Sequence, residues 1–480
     1  MNDRGRHTIG PWIRHRARTT PDRVAVDFEG RFVTYRELDE RSDARAAAFI
    51  RSGLRRGDRV ATLTGNSPEH VEVLFACAKT GLILLPLCWR LSPPEIAYQL
   101  DDADPALLLV EASQDELARA AGRPFEPLED PPAGGELPPA DVLDDDGLLL
   151  VYTSGTTGKP KGAVLTHENC FWTNLAFDLA IGVDRDDVVL QVLPQFHVGG
   201  WNVQQLLAWW KGACVIVERQ FDPARALRLI ETKRVTTMMG VPATYLFMAQ
   251  EPGFADADLS SLRHAVVGGA PMPEALLETW AARGVAIVQG YGLTEAAPNV
   301  LCLPPEDAVR KIGFAGKPYP FVDVDLSPEG ELLVRGPNVF AGYWRNPEAT
   351  RAAFTDEGQL RTGDIAERDD EGNYRIVGRL KEMYVSGGEN IYPAEVEAVL
   401  HQHPAVVDAA VIGIPDERWG ETGAAFVVGD RVAAEELIEW CRGRLARFKV
   451  PKTVHLVEEI PRNSLGKIQK DELRRTEVVR

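Results

Sequence analysis

Short apolar runs that alternate with helix-periodic segments over the first three quarters of the chain constrain its fold more than any other feature. The run Arg59-Val-Ala-Thr-Leu63 predicts a strand, after which Val71, Leu74, Phe75 and Ala78 recur at i, i+3, i+4 and i+7 and share one helix face. Residues 82–87 return as a strand. Ser92 with Glu95 predicts a capping box on a helix carrying Ile96 and Leu100, and 106–110 is apolar again. Further apolar segments at 188–193, 213–217, 235–239, 263–267 and 285–288 are separated by helical stretches such as 222–233. This alternation predicts βα units in mostly parallel sheets, an α/β fold. Residues 124–146, with six prolines and an acidic run ending in Asp144-Asp145-Asp146, read as a surface connection. Beyond Val377-Gly378-Arg379 a separate α+β module is expected: helix 393–403, strands near 405–412 and 424–428, helix 433–446 and a strand near 453–457.

Charge and composition exclude several functions. The 53 basic and 71 acidic side chains among 480 residues leave a net charge of −18, so no global positive field draws the chain to nucleic acid, and an anionic ligand must be held locally. With 45% hydrophobic and 26% charged residues, wholesale disorder is excluded. The six cysteines show no CxxC and no histidine at metal-ligand spacing, and read as buried free thiols. The first twenty residues contain no apolar signal core, and the longest apolar run, near 81–89, is too short to span a bilayer. A cytoplasmic setting without stable membrane insertion is expected. The arginines at 4, 6, 14, 16 and 18 beside Trp12 and Ile13 read as a solvated face.

Chemistry concentrates after the strand expected at 147–152, in Thr153-Ser-Gly-Thr-Thr-Gly-Lys-Pro-Lys-Gly162. Glycines bring backbone N–H groups close to an anion, hydroxyls donate or ligate Mg²⁺, and Lys159 and Lys161 supply charge that the chain lacks overall. A Walker A loop is disfavoured, because Gly155 and Gly158 are too close and Pro160 follows the lysine.

The order of this motif resembles the signature of the adenylate-forming superfamily of acyl-CoA synthetases, luciferases and peptide-synthetase adenylation domains. Gln289-Gly-Tyr-Gly-Leu-Thr-Glu295, Arg361-Thr-Gly-Asp364, Gly378-Arg-Leu-Lys-Glu-Met-Tyr-Val-Ser-Gly-Gly388 continuing to Glu397, and Pro461-Arg-Asn-Ser-Leu-Gly-Lys467 resemble its later motifs, in family order. With the family-like Thr34-Tyr-Arg-Glu-Leu38 upstream, the resemblance covers essentially the whole chain. It implies a large N-terminal domain of stacked α/β subdomains, residues 1–379, and a small mobile α+β C-terminal domain, residues 380–480.

The same resemblance implies ATP, Mg²⁺ and coenzyme A as cofactors, and roles for individual residues. Thr153, Ser154, Gly155, Thr156, Thr157, Gly158 and Lys159 would cradle the phosphates, with Glu295 and Thr153 on the metal and Thr294 on the α-phosphate. Tyr291 would pack on adenine beside Gly268, Gly269, Ala270, Gln289, Gly290 and Gly292. Asp364 and Arg379 would read the ribose. Lys467 would bridge the entering carboxylate and the α-phosphate, and Lys381 lies where the family hinges. The hinge would withdraw Lys467 after adenylation and present Ser386-Gly387-Gly388 to a thiol. Trp419, Arg447, Phe448, Lys449 and Lys452 resemble a coenzyme A nucleotide surface.

His197, in Pro194-Gln-Phe-His197-Val-Gly-Gly-Trp201, stands where amino-acid-activating relatives carry Asp, which favours acids without an α-amine, and is expected in the catalytic site, gating the pocket or steadying the carboxylate. Trp201, Gln204, Gln205, Trp209, Met239, Pro242, Tyr245 and Pro298-Asn299 are expected as the further pocket wall. The detailed similarity implies a medium- or long-chain fatty acid first and a benzoate- or cinnamate-like acid second. The expected partner is thus a small-molecule carboxylic acid. An acyl-carrier protein stands as alternative acceptor, a homodimer as a candidate assembly, and a non-catalytic member is disfavoured because Lys467 and Glu295 are both retained.

Overall fold

The computed structural model describes residues 5–128, 137, 140–153, 159–462 and 468–478. Two large sheets and the helices around them make up the N-terminal domain. One sheet has nine strands, in which Cys214–Val217, Val188–Gln191, Thr237–Gly240, His264–Val267 and Ile287–Gly292 lie side by side in that order, all parallel, as βα units predict. The other has seven, built around the parallel strands Arg59–Leu63, Ile83–Leu87 and Leu107–Val110.

Alternation along each strand shows how the layers stack. Val189, Val215, Val217 and Val266 face one core cluster together with Val60, Leu84, Leu149 and Val151 of the other sheet, so the helices between the sheets are covered on both sides. The helix Pro68–Thr80 lies there, buried at nearly every position. On the outer faces, Leu190, Ile216 and Val267 pack with the helices Pro223–Thr232, Pro242–Gln250 and Glu274–Ala281, while Ala61, Ile83 and Leu85 pack with Ile96 and Leu100. The result is five layers, helix, sheet, helix, sheet, helix.

Local signals set the helix ends. Ser67 accepts from the His70 N–H and Gly81 closes the same helix at φ +70°, while the Ser92 N–H donates to Glu95 Oε2 at 2.8 Å in the expected capping box. The 124–146 segment differs from expectation: Glu126–Pro127 adds an edge strand parallel to Leu107–Val110. Asp144 and Asp146 are likewise tied in, to the His7 N–H at 2.7 Å and to Arg56 at 2.6 Å. Short edge pairing and ion pairs need no apolar pattern, so composition did not reveal them.

A four-stranded antiparallel sheet, Asp323–Leu326, Glu331–Arg335, Leu360–Arg368 and Tyr374–Arg379, follows the large sheets. The C-terminal domain has a five-stranded sheet centred on Val406–Asp416 and Gly420–Gly429. Val411 and Val427 face the helices Pro393–His401 and Ala434–Arg442, while Ile412 and Phe426 face Leu473 of the last helix.

Candidate active site

The parallel strands of the nine-stranded sheet end on one rim, where a doubly wound fold gathers ligands because the loops beyond the carboxyl ends diverge. Gly268, Gly269 and Ala270 follow His264–Val267; Gln289, Gly290, Tyr291 and Gly292 end the next strand. Gly268 is buried, whereas Gly269 and Ala270 are exposed. Gln289 Nε2 donates to the Phe314 carbonyl at 3.1 Å. Gly292 is obligatory for a local reason, since a Cβ there would lie 1.8 Å from the Pro298 carbonyl oxygen.

Tyr291, Asp364 and Arg379 form one cluster. The Tyr291 hydroxyl donates to Asp364 Oδ2 at 2.6 Å, and Arg379 Nε lies 3.0 Å from Oδ1. Antiparallel pairing puts Asp364 directly opposite Arg379, so backbone register brings the two motifs together. Burial, and then the Asp364 charge, push the Tyr291 phenol well above its ordinary value, so it remains a donor.

Glu295 occupies the turn Thr294–Ala296, where Thr294 is half-buried. Its Oε1 accepts from the Tyr343 hydroxyl at 2.7 Å and lies 3.5 Å from Thr153 Oγ1. Glu295 and Thr153 thus bring together hard-oxygen donors of the type Mg²⁺ takes. Among the described residues no group of three or more His, Cys, Asp or Glu gathers at one point. Burial, and then Glu295, push the Tyr343 phenol above its ordinary value.

The strands on either side of the glycine-rich motif pair antiparallel, Gly147–Thr153 with Lys161–Thr166, with Thr153 opposite Lys161. A Walker A loop would instead open a helix. Lys159 is exposed, 5.9 Å from the Tyr98 ring centre, and Lys161 lies 5.2 Å from that of Tyr343. Ser154, Gly155, Thr156, Thr157, Gly158 and Lys467 lie outside the described residues.

Gly387 and Gly388 form the two-residue turn of the hairpin Tyr384–Ser386 to Glu389–Ile391, at φ +59° and +90°. A tight hairpin with both central residues left-handed selects glycine by itself. Trp419, 48% exposed, packs on Gly387, and its carbonyl accepts the Gly387 N–H at 2.8 Å. Lys449 and Lys452 are paired with Glu395 and Asp416. Lys381 is exposed, two residues beyond Arg379.

His197 is half-buried beside Phe196, at a ring-centre distance of 4.6 Å. Its segment is held by a buried polar clamp: the Gln195 N–H donates to Asn66 Oδ1 at 2.8 Å, and Asn66 Nδ2 to the Leu193 carbonyl at 2.9 Å. Most of the expected pocket wall is core instead. Trp201, Trp209 and Tyr245 are fully buried, with Trp209 Nε1 donating to the Ala25 carbonyl and the Tyr245 hydroxyl to that of Val266. Gln204 donates to Thr237, Gln205 to the Gly200 carbonyl, and Asn299 to Thr173. In a five-layer fold these helices are covered on both sides, so an aromatic stripe reports packing. Met239 and Pro242, half-buried at the rim, remain available to a ligand.

Three site features escaped sequence reading: Tyr343, the Asn66–Gln195 clamp, and Asn338, whose amide donates to the Ala296 and Asn299 carbonyls at 2.9 and 2.8 Å and staples the Glu295 turn. Their partners are distant in the chain, and no spacing announces them.

A family model described as AMP-binding enzyme matches residues 13–344, and one described as AMP-binding enzyme C-terminal domain matches residues 395–467. Feruloyl-CoA synthase of an Amycolatopsis species is 43% identical over 484 residues, covering 97% of this chain and 98% of the relative. Long-chain-fatty-acid–CoA ligase FadD13 of Mycobacterium tuberculosis is 39% identical over 497 residues, covering 97% and 98%. The solved structure of O-succinylbenzoate coenzyme A synthetase (MenE) from Bacillus subtilis in complex with ATP and magnesium ion matches with a TM-score of 0.88 and 32% identity, over 96% of this chain and 98% of that one.

Proposed function

Because this chain belongs to the AMP-binding enzyme family of ATP-dependent, AMP-forming acid–CoA ligases, we propose that it joins an apolar carboxylic acid lacking an α-amine to coenzyme A by way of an acyl-adenylate. In the first half-reaction a carboxylate oxygen bonds to the α-phosphorus of ATP and pyrophosphate leaves. In the second a thiolate bonds to the acyl carbon and AMP leaves. The observation that carries this reading is the meeting of Tyr291, at the rim, with Asp364 and Arg379, three residues from three separate motifs.

Asp364 and Arg379 would hold the ribose, with Tyr291 alongside the base, and Glu295 with Thr153 would hold Mg²⁺, which when bound neutralises phosphate charge. Lys467 is assigned to the adenylation step and Gly387–Gly388 to the thiol arm. The two working parts divide near Arg379, where the antiparallel sheet ends and the next strand, Tyr384–Ser386, joins the C-terminal sheet.

For the acid, the similarity to feruloyl-CoA synthase puts a hydroxycinnamate-like aryl acid first, reversing the order that the motifs alone implied. A medium- or long-chain fatty acid is the second reading, favoured by FadD13. A cytoplasmic setting agrees with the six free cysteines, five buried and Cys214 half-buried. Burial pushes the Cys170 and Cys302 thiols up to about 12, which keeps them unreactive. Among the described residues no helix is long and apolar enough to cross a membrane.

The test is pyrophosphate release with ATP, Mg²⁺ and a panel of aryl and aliphatic acids, with coenzyme A, with a phosphopantetheinyl carrier protein, or with neither acceptor. Turnover that needs an acid and coenzyme A supports the ligase and ranks the acids. Product formation only with the carrier protein would replace coenzyme A as acceptor, and silence across the panel would sink the proposal.

A further inference from the structure

Tyr343 stands between Glu295 and Lys161, one residue from each of two phosphate-facing motifs. Its hydroxyl donates to Glu295 Oε1 at 2.7 Å, and Lys161 Nζ lies 5.2 Å from its ring centre. Its backbone forms the two-residue strand Gly342–Tyr343, paired with Lys161–Thr166 so that Tyr343 stands opposite Ala163. The ring is set by edge contact with Phe340 at 4.9 Å, and the Phe340 N–H donates to the Glu295 carbonyl at 2.9 Å. Segment 340–343 therefore grips Glu295 at both its main chain and its carboxylate.

We infer that Tyr343 is a positioning residue for Glu295: by occupying Oε1 it fixes the carboxylate and leaves Oε2 as the single oxygen offered to the nucleotide-bound cation. The inference rests on the metal role proposed for Glu295. A small divalent cation with strict octahedral demands, already holding phosphates and waters, takes one oxygen from a carboxylate more readily than two. Groups that orient a metal ligand without touching the metal commonly change metal affinity by about 10- to 100-fold. Tyr343 belongs to no motif that the sequence singled out, and its neighbours Gly342 and Trp344 carry no charge that would mark the position.

The experiment measures the dissociation constant of the full-length protein for a non-hydrolysable α,β-methylene analogue of ATP by calorimetry, with Mg²⁺ and with EDTA. The ratio of the two constants reads the coupling between metal and nucleotide. Tyr343→Phe keeps the ring and removes the hydroxyl. It is expected to shrink that ratio about tenfold while the EDTA value stays within about twofold of the parent. Glu295→Gln is expected to shrink it at least as far, and the double variant no further than Glu295→Gln alone, because both act through one carboxylate. An unchanged ratio in Tyr343→Phe alongside a reduced one in Glu295→Gln would overturn the role of Tyr343 and leave that of Glu295 standing. Equal weakening with and without metal, or full additivity in the double variant, would also overturn it. An unchanged ratio in Glu295→Gln would instead remove the metal reading itself. Glu295→Asp serves as the second carboxylate variant if Glu295→Gln fails to fold.

Discussion

The proposed nucleotide end of the site and the proposed thiol end are built on opposite plans. At the proposed nucleotide end three polar side chains are held by partners from other segments: Tyr291 by Asp364, Asp364 by Arg379, Glu295 by Tyr343. At the thiol end the Gly387–Gly388 turn meets Trp419, and Lys381 stands exposed. The first plan fixes charges before substrate arrives, which lowers the reorganisation needed as charge develops. In the proposed mechanism the second keeps a narrow path and a pivot clear. On the proposed mechanism, substitutions should therefore divide sharply between the two half-reactions.

The sharpest break is expected from Lys467→Ala. Loss of one cation at the reacting phosphate should slow acyl-adenylate formation by roughly 10³-fold. Conversion of preformed acyl-adenylate and coenzyme A should stay within a few-fold of the parent. Isolated half-reaction assays read both, and equal losses in the two would end the division of labour.

Asp364→Asn comes next. It preserves shape but removes the charge shared by Tyr291 and Arg379, and two charge-assisted hydrogen bonds together contribute about 3 kcal/mol, so kcat/KM for ATP should fall roughly 100-fold. Initial-rate kinetics at saturating acid decide it. A KM for acid that moved more than that for ATP would detach Asp364 from the ribose.

The third prediction concerns the turn that joins the two ends. Lys470, with 12% of its side chain exposed, lies 2.8 Å from both Glu382 and Glu397, tying the start of the last helix to the residues just past Arg379. Burial alone would raise the Glu382 carboxyl, but the Lys470 ammonium overrides it and holds the group below its ordinary 4.5. Burial likewise opposes charge on Lys470, yet the carboxylates Glu397 and Glu382 hold it above its ordinary 10.5. A depressed carboxyl stabilises the fold above its unfolded value and ceases to as pH falls through the folded one. A raised ammonium does so below its unfolded value and ceases to as pH climbs through the folded one. The stabilisation should therefore be full between 4.5 and 10.5 and fade outside that window. Lys470→Met should destabilise the C-terminal domain by about 3 kcal/mol at pH 7 and by progressively less below the acid limit. Thermal melts of parent and variant across pH check it, and a difference that ignored pH would assign the effect to packing.

The same contrast explains what could be read from the chain. The layered core was legible because alternation such as Val189 inward and Leu190 outward leaves a period-two pattern, and because Ser92 and Glu95 announce a helix start. The antiparallel sheet that carries Asp364 was not. Its edge strand Asp323–Leu326 is mostly exposed, so no hydrophobic run marks it. Trp201 and Trp209 were read as a ligand wall because helical spacing reveals a shared face but not which layer covers it. Motif order brought Tyr291, Asp364 and Arg379 into one expected site, but only the strand register shows why they meet. Tyr343 gave no signal at all, since its meaning lies in a contact 48 residues back along the chain.

The smallest effect expected, Gly388→Ala, tests the thiol end most directly. A Cβ there meets nothing within 4 Å, so sterics inside the fold do not forbid it. The cost arises from φ +90°, which an L side chain adopts reluctantly, and amounts to about 1–2 kcal/mol. A turn that merely closes a hairpin predicts that loss of stability and nothing more. A turn that lines the path of the pantetheine arm predicts in addition a slower second half-reaction, by about tenfold, with adenylate formation unchanged. Thiolysis of preformed acyl-adenylate, compared with the melting temperature of the same variant, separates the two. A destabilised protein with full thiolysis would reduce Gly387–Gly388 to a requirement of the hairpin.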